Sequence, residues 1–249
     1  YTAGQALMQR ALEEAGEDEY ARMRALLGVG VALNEQGRFD KSWARYAEAR
    51  EWLARHPGLD PALGDQLDYL SAVNLMNRNR KDEASALLGA LVERFQRRGQ
   101  VLEDAAVQAN GMYVYLLGSM KRTDQALAAS AALYRAVKAQ PNQPLARLAT
   151  IVGAHAYALM SAQKLVEAEP LFREALAINE RIYGTGHLGT VVSLNNIAVC
   201  LGRQGRHAES AALLEQAIAI RREKLPKDHP DLGHSLNNAG SAYEKAGDN

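Results

Sequence analysis

A 42-residue period runs through the chain without insertion or deletion. Ser42, Ala84, Ala126, Ala168 and Ser210 lie on it, five small side chains at one spacing. Seven positions after them come Ala49, Leu91, Leu133, Ala175 and Ala217, and nine before them Leu33, Leu75, Leu117, Leu159 and Leu201, with Tyr243 opening a further copy. Twelve before them come Gly30, Ala72, Val114, Ala156, Ala198 and, in that further copy, Gly240, small in all but one case. A fixed period of this length marks a repeat architecture, in which one unit cannot cover its own apolar face and must stack on the next.

The residue types say what each unit is. Ala, Leu, Glu, Gln and Arg dominate the long stretches, as helices prefer, and no sustained period-two alternation suggests a strand. Helices that pack closely need small residues where their backbones approach. A turn residue recurs at Gly37, Asn79, Lys121, Gln163, Gly205 and Gly247. Each copy therefore reads as helix, short turn, helix, and the chain as all-α. The expected helices cover 7–16, then 19–35 and 39–55, 61–77 and 81–97, 101–119 and 123–139, 143–161 and 165–182, 187–203 and 207–224, and 230–246. Pro170 is expected to bend its helix locally. Sixteen places before the small residue, Leu26, Val152, Leu194 and Leu236 supply a large apolar side chain, but Asp68 and Asn110 do not. Either the helix rotates there to use Leu67, Leu70 and Tyr113, or the two polar groups face a groove.

Twenty-nine basic side chains balance 29 acidic ones, so no whole-molecule field draws nucleic acid or an anionic membrane. The single cysteine excludes an internal disulfide framework. No apolar run approaches the roughly 20 residues that cross a bilayer, and no signal peptide is visible, so a cytoplasmic location is expected. The chain starts at Tyr1, and we expect it to be part of a longer one.

Motifs that could carry chemistry have simpler readings. Gly184–Gly189 spells GTGHLG, but it follows a helix rather than a strand, so the dinucleotide-binding fingerprint lacks its context. Cys200 sits in the apolar run IAVCLG and reads as a small buried hydrophobe, not a thiolate nucleophile. His229 and His234 are poorly spaced for metal. His187 and His229 recur at repeat junctions, where a capping role is expected. Acidic runs near residue 17 suit a helix start. Trp43 and Trp52 read as packing residues. No catalytic residue, cofactor or metal site is expected.

Glu167–His187 (EAEPLFREALAINERIYGTGH) and His229–Asn238 (HPDLGHSLNN), with the SLNN of Ser193–Asn196, resemble the tetratricopeptide repeat (TPR), in the longer subtype of kinesin light chains and their bacterial relatives. The resemblance implies a right-handed superhelix, an α-solenoid of stacked antiparallel helix pairs. It implies one domain over 1–249, with five full repeats and partial ones at both ends. First helices would line a concave groove that binds a peptide or partner protein without catalysis. The period then assigns to that groove Gln66, Tyr69, Gln108, Met112, Tyr115, Thr150, Tyr157, Asn195, Asn196, Arg203, Asn237 and Asn238, with Arg24, Asn34, Met76, Met160 and His234 beside them. Amides bond a peptide backbone in both directions, and Tyr and Met give adaptable apolar contact. Leu194 and Leu236 would pack inward behind the asparagines, which could instead only tie adjacent helices together. The basic partner of a chaperone-type carboxylate clamp is missing, since its places hold Val192 and His234. The alternative implied by the bacterial relatives is a regulatory or sensor part of a larger signalling protein, such as a kinase, caspase-like protease, NTPase switch or transcription regulator. The partner would be protein or peptide, not nucleic acid or membrane, and uncapped ends could self-associate.

Overall fold

The structure, a computed structural model, describes residues 6, 10, 14–16, 18–140, 142–226 and 229–247. The helix expected over 7–16 falls mainly outside them. Among the described residues there are eleven α-helices: α1 (Glu19–Glu35), α2 (Phe39–Arg55), α3 (Pro61–Asn77), α4 (Lys81–Arg97), α5 (Asp104–Ser119), α6 (Thr123–Lys138), α7 (Leu145–Ser161), α8 (Leu165–Tyr183), α9 (Leu188–Arg203), α10 (His207–Lys224) and α11 (Pro230–Ala246).

Two of these start two or more residues later than the periodicity suggests. α7 begins at Leu145, behind an extended Pro144 (φ −52°, ψ 132°), because a proline pushes the residue before it out of the helical region. α5 begins at Asp104 because Gln100–Glu103 closes a separate turn, with Glu103 N–H donating to Gln100 O at 3.2 Å. α8 runs unbroken through Pro170.

The turn within each pair repeats atom for atom. Gly37, Asn79, Lys121, Gln163, Gly205 and Gly247 all have positive φ, between 60° and 86°. After the first five, the N–H groups of Arg38, Arg80, Arg122, Lys164 and Arg206 reach back to the carbonyls of Leu33, Leu75, Leu117, Leu159 and Leu201, at 2.8–3.0 Å. This is the Schellman closure, which satisfies carbonyls that a helix end would leave unpaired. The carbonyls of the same five basic residues accept the N–H of the periodic Ser42, Ala84, Ala126, Ala168 and Ser210. Each small residue therefore opens the second helix, and all five are at most 4 % exposed. The two serines use their hydroxyls identically: Ser42 Oγ donates to Gly30 O at 2.8 Å and Ser210 Oγ to Ala198 O at 2.7 Å.

The chain forms two compact units, 1–109 and 110–249. In the first unit α1 to α4 pack each on the next, in the second α6 to α11 do so, and first helices of successive pairs also touch: α1 on α3, α7 on α9. In the first unit Met23, Leu26, Tyr46, Ala49, Leu63 and Leu67 share one core. In the second, core clusters lie around Val114 and Ala158, Phe172 and Ile197, Leu194 and Ala217, and Leu214 and Ala239.

At the irregular positions the core stripe does use Leu67 and Leu70, with Tyr113 packed on the next cluster, and the groove-facing alternative is overturned. Asp68 does not face a groove: it is 8 % exposed and takes Arg50 Nη1 on Oδ1 at 2.9 Å and Arg94 Nη2 on Oδ2 at 2.5 Å. Asp65 beside it pairs with Arg94 and Arg98 at 2.9 and 2.6 Å. Two carboxylates and three guanidiniums thus replace a leucine between α3 and its flanking second helices. Asn110 is also buried, its Nδ2 3.4 Å from Ala129 O. Leu236 does not pack inward as Leu194 does. Leu194 lies against Ala217 of the following helix, whereas Leu236 is 42 % exposed, with no helix after α11 among the described residues.

Candidate functional site

The second unit brings several of the sequence-selected residues onto one wall. Tyr115 on α5 and Tyr157 on α7 meet ring to ring, centroids 5.2 Å apart at 35°. Tyr115 is 52 % exposed. Tyr157 is half-buried over the backbone of α5: a Cβ added at Gly118 would sit 2.7 Å from its Cε1. Burial, with Tyr115 beside it, raises the Tyr157 phenol above its ordinary value, opposed by a hydrogen bond with Ser161 and by the charge of Arg203. Arg203, exposed on α9, donates to Met160 O at 3.3 Å. It thereby reaches the carbonyl end of α7, where a helix dipole favours a cation. Tyr115, Tyr157 and Arg203 so connect three successive first helices.

Thr150, exposed, stands near Gly111 of α5, and its hydroxyl donates back to Ala146 O. Met112 is half-buried on α5. Asn195 and Asn196 are half-buried on α9, Asn237 and Asn238 exposed on α11. Asn195 Oδ1 is enclosed yet has no hydrogen-bond partner among the described residues, so it does not tie helices together. That linking role belongs to another amide of the groove roster: Asn34 Oδ1 accepts from Asn74 Nδ2 at 3.1 Å, between α1 and α3. Met160 is a correction, being 3 % exposed and part of the core. The side chain of His234 lies outside the described ones.

In the first unit Gln66 is exposed and lines a cavity of about 450 Å3 with Arg24, Leu27, Gly28 and Leu70. Tyr69 is half-buried, and burial raises its phenol pKa. Gln108 is exposed on the first-unit part of α5.

The motifs read as structural are built as structure. His187 Nδ1 accepts the N–H of Gly189 at 3.0 Å, and His229 Nδ1 that of Asp231 at 3.2 Å, capping α9 and α11. Asp18 and Asp60 do the same for α1 and α3. In GTGHLG, Gly184 ends α8 at φ 86° and Gly189 lies beneath the stacked rings of Tyr183 and His187. Cys200 is fully buried, bonded to Leu165 O at 3.5 Å, and burial raises its pKa. Trp52 stacks on His56 at 4.3 Å, with Arg22 4.7 Å from its ring. Among the described residues no group of His, Cys, Asp and Glu is placed to hold a metal, and no helix is long and apolar enough to cross a membrane.

Lys245, His207 and Ser161 did not stand out in the sequence. The signal that reaches Ser161 and Lys245 is an offset of 43 from Gly118 and Gly202, beside the 39 that joins Gly118 to Tyr157, where successive first helices cross; no periodic signal reaches His207.

Residues 146–223 match the family model described as tetratricopeptide repeat. A search of curated proteins with the sequence gives no match. Among solved structures, BtubC (BKLC) from P. vanneervenii is 20 % identical, covering 99 % of this chain and 84 % of that one, with a TM-score of 0.52. A putative kinesin light chain from Podospora anserina, with nearly identical TPR-like repeats, is 16 % identical over 81 % of this chain and 96 % of that one, TM-score 0.63. A Rap protein complexed with competence and sporulation factor is 14 % identical over 92 % of this chain and 64 % of that one, TM-score 0.69. At such identities the likeness is one of fold. Residues 146–223 match the tetratricopeptide repeat, and the chain has the all-helical fold of TPR structures, with structural similarity to kinesin-light-chain-like TPR proteins.

Proposed function

We propose that the second unit is a non-catalytic binding wall for a peptide or partner protein, working in the cytoplasm. The observation that carries this reading is the line of Tyr115, Tyr157 and Arg203 across α5, α7 and α9. An exposed aromatic braced by a second, with a cation and half-buried amides nearby, is the composition of an interaction hot spot. Asn195 Oδ1, enclosed without a partner, offers an acceptor to a backbone N–H. The Rap structure is of a complex with competence and sporulation factor, and that use of a similar fold favours a regulatory role within a larger protein as the second form of this reading.

The test is capture of partners from a lysate by the chain and by the double variant Tyr115→Ala, Asn196→Ala, followed by direct titration of what is captured. Tyr157 is left intact because it packs on Gly118. Binding weakened about tenfold or more at an unchanged melting temperature supports the wall. Unchanged binding sinks it.

A further inference from the structure

We propose that Ser130 and His155 form a proton-operated latch where α6 meets α7, and that its release in mildly acid solution loosens the contact of Tyr115 with Tyr157 across the same junction. As a control on the binding wall this rests on that reading; the latch itself does not.

The repeat register marks the pair. Residues 25 apart, one on a second helix and one on the next first helix, are Tyr46 with Ser71, Leu88 with Tyr113, Ser130 with His155, Phe172 with Ile197, and Leu214 with Ala239. Phe172 and Ile197 share one core cluster, Leu214 and Ala239 another. Of these side chains only the imidazole changes charge near neutrality. A junction that the next two copies close with hydrocarbon is closed here by a hydrogen bond between Ser130 Oγ and His155 Nδ1, 3.0 Å apart.

The hydroxyl decides which nitrogen carries the proton. Ser130 Oγ donates its one hydrogen to Leu127 O at 3.1 Å, so it accepts from Nδ1–H of His155. The neutral ring keeps its lone pair on Nε2, and acid places a second proton there. The surroundings disfavour that charge. Burial, then Arg135 of α6, holds the imidazole below its ordinary pKa, with Glu167 of α8 opposing. Lys164 Nζ lies 3.6 Å from Glu167 and offsets part of its charge. The Tyr134 ring stacked on His155 already has Lys138 Nζ 5.4 Å from its centroid, and Lys138 is paired with Glu174 at 2.9 Å. α9 adds Arg203, held at Met160 O, and the buried Cys200. Residues 110–119 of α5 bring Tyr113 and Tyr115 and no charged side chain. The closed junction therefore binds a proton less readily than an open one, where water solvates the imidazolium. Falling pH shifts the balance towards the open form, by at most about tenfold per pH unit for one proton.

The coupling runs through α7. His155 and Tyr157 lie on that one helix, the first bonded to α6 and the second against α5. The Lys121 turn joins α5 to α6, and Val114, Leu117, Ala126 and Ala158 pack together at the junction. A close-packed cluster transmits a shift on one side to the other.

The experiment is hydrogen exchange of the whole chain at about pH 5.5 and 7.5, corrected for the intrinsic pH dependence, together with NMR of the tyrosine rings. Tyr115→Phe and Tyr157→Phe assign the two signals. Protection of α6 and α7 should fall about threefold or more at the lower pH, with α10 and α11 unchanged. The Tyr115 and Tyr157 signals should move with the midpoint of the His155 imidazole. His155→Gln and His155→Tyr, the latter the residue of the preceding copy, should each remove both responses, and either suffices where the other fails to fold. Protection independent of pH in the parent, a response that survives the neutral variants, or tyrosine signals that ignore the His155 midpoint overturns the proposal. No partner enters these measurements. A wall that binds nothing therefore leaves the latch standing, and a latch that does not open leaves the wall standing.

Discussion

The ring of Tyr157 lies against the backbone of Gly118 so closely that a methyl group on Gly118 would overlap it, at 2.7 Å from Cε1. Gly202 occupies the same repeat position two copies later, and there a methyl group would touch Ser210 no nearer than 3.6 Å. One substitution should therefore have opposite effects. Gly118→Ala should destabilise by about 1–3 kcal/mol through overpacking. Gly202→Ala should stabilise by up to about 1 kcal/mol, because alanine costs less backbone entropy in a helix. Urea unfolding of both variants checks this; equal effects would mean that the two sites are alike.

Lys121 and Gln163 hold φ of 60° and 61° where three other copies use glycine. A side chain pays about 1–2 kcal/mol in that conformation, partly offset by the greater freedom that glycine loses on folding. Lys121→Gly and Gln163→Gly should each raise stability by about 0.5–1 kcal/mol, or roughly 2 °C in melting temperature. Gly37→Ala should lower it by a similar amount. Thermal melts of the three variants decide the point, and a destabilising glycine would show that the side chains make contacts worth more than the strain.

Asp68 sits in a leucine position and is held by Arg50 and Arg94. Its removal leaves charges facing a buried surface. Asp68→Ala should cost about 2–4 kcal/mol, somewhat below the loss for a fully buried pair because the guanidiniums are partly solvated. Asp68→Leu combined with Arg94→Met should recover most of that loss, since a hydrophobic replacement of both partners is often neutral or better. Failure of the double variant to recover would indicate that Arg94 is needed by Asp65 as well, with which it also pairs.

His155 lies between Ser130, whose Oγ is 3.0 Å from Nδ1, and the ring of Tyr134, stacked at 4.7 Å. Burial, then the charge of Arg135, lowers its pKa below the ordinary 6.5, with Glu167 opposing. The unfolded chain therefore takes up a proton at this residue before the folded one does. Stability is at its full value above about pH 6.5 and falls as pH drops from there towards the folded pKa. His155→Gln should flatten that part of the profile, measured as melting temperature between about pH 5 and 8. An unaltered slope would place the dependence on other groups.

Much of the fold is legible in the residue order because the repeat is enforced locally. The closing turn needs one residue with positive φ, a leucine carbonyl five places before the next N–H, and a small residue four places further on, and these demands recur wherever the turn recurs. Helix ends followed, except where Pro144 and the Gln100–Glu103 turn moved a start. Asp68 was left between two alternatives for a definite reason: the place of a polar residue on an apolar stripe depends on its partners, and Arg50 and Arg94 stand 18 and 26 residues away on other helices.

The period and the turn chemistry, all short-range, determined that the chain makes stacked helix pairs and which side chains open and close each one. Tertiary structure alone decided which of the outward residues meet. The pairing of Tyr115 with Tyr157, the reach of Arg203 to α7 and the open slot over Gly202 depend on how far two side chains 39 to 46 residues apart fill the same gap. A linear pattern specifies each residue's size and direction, but packing is a property of the pair.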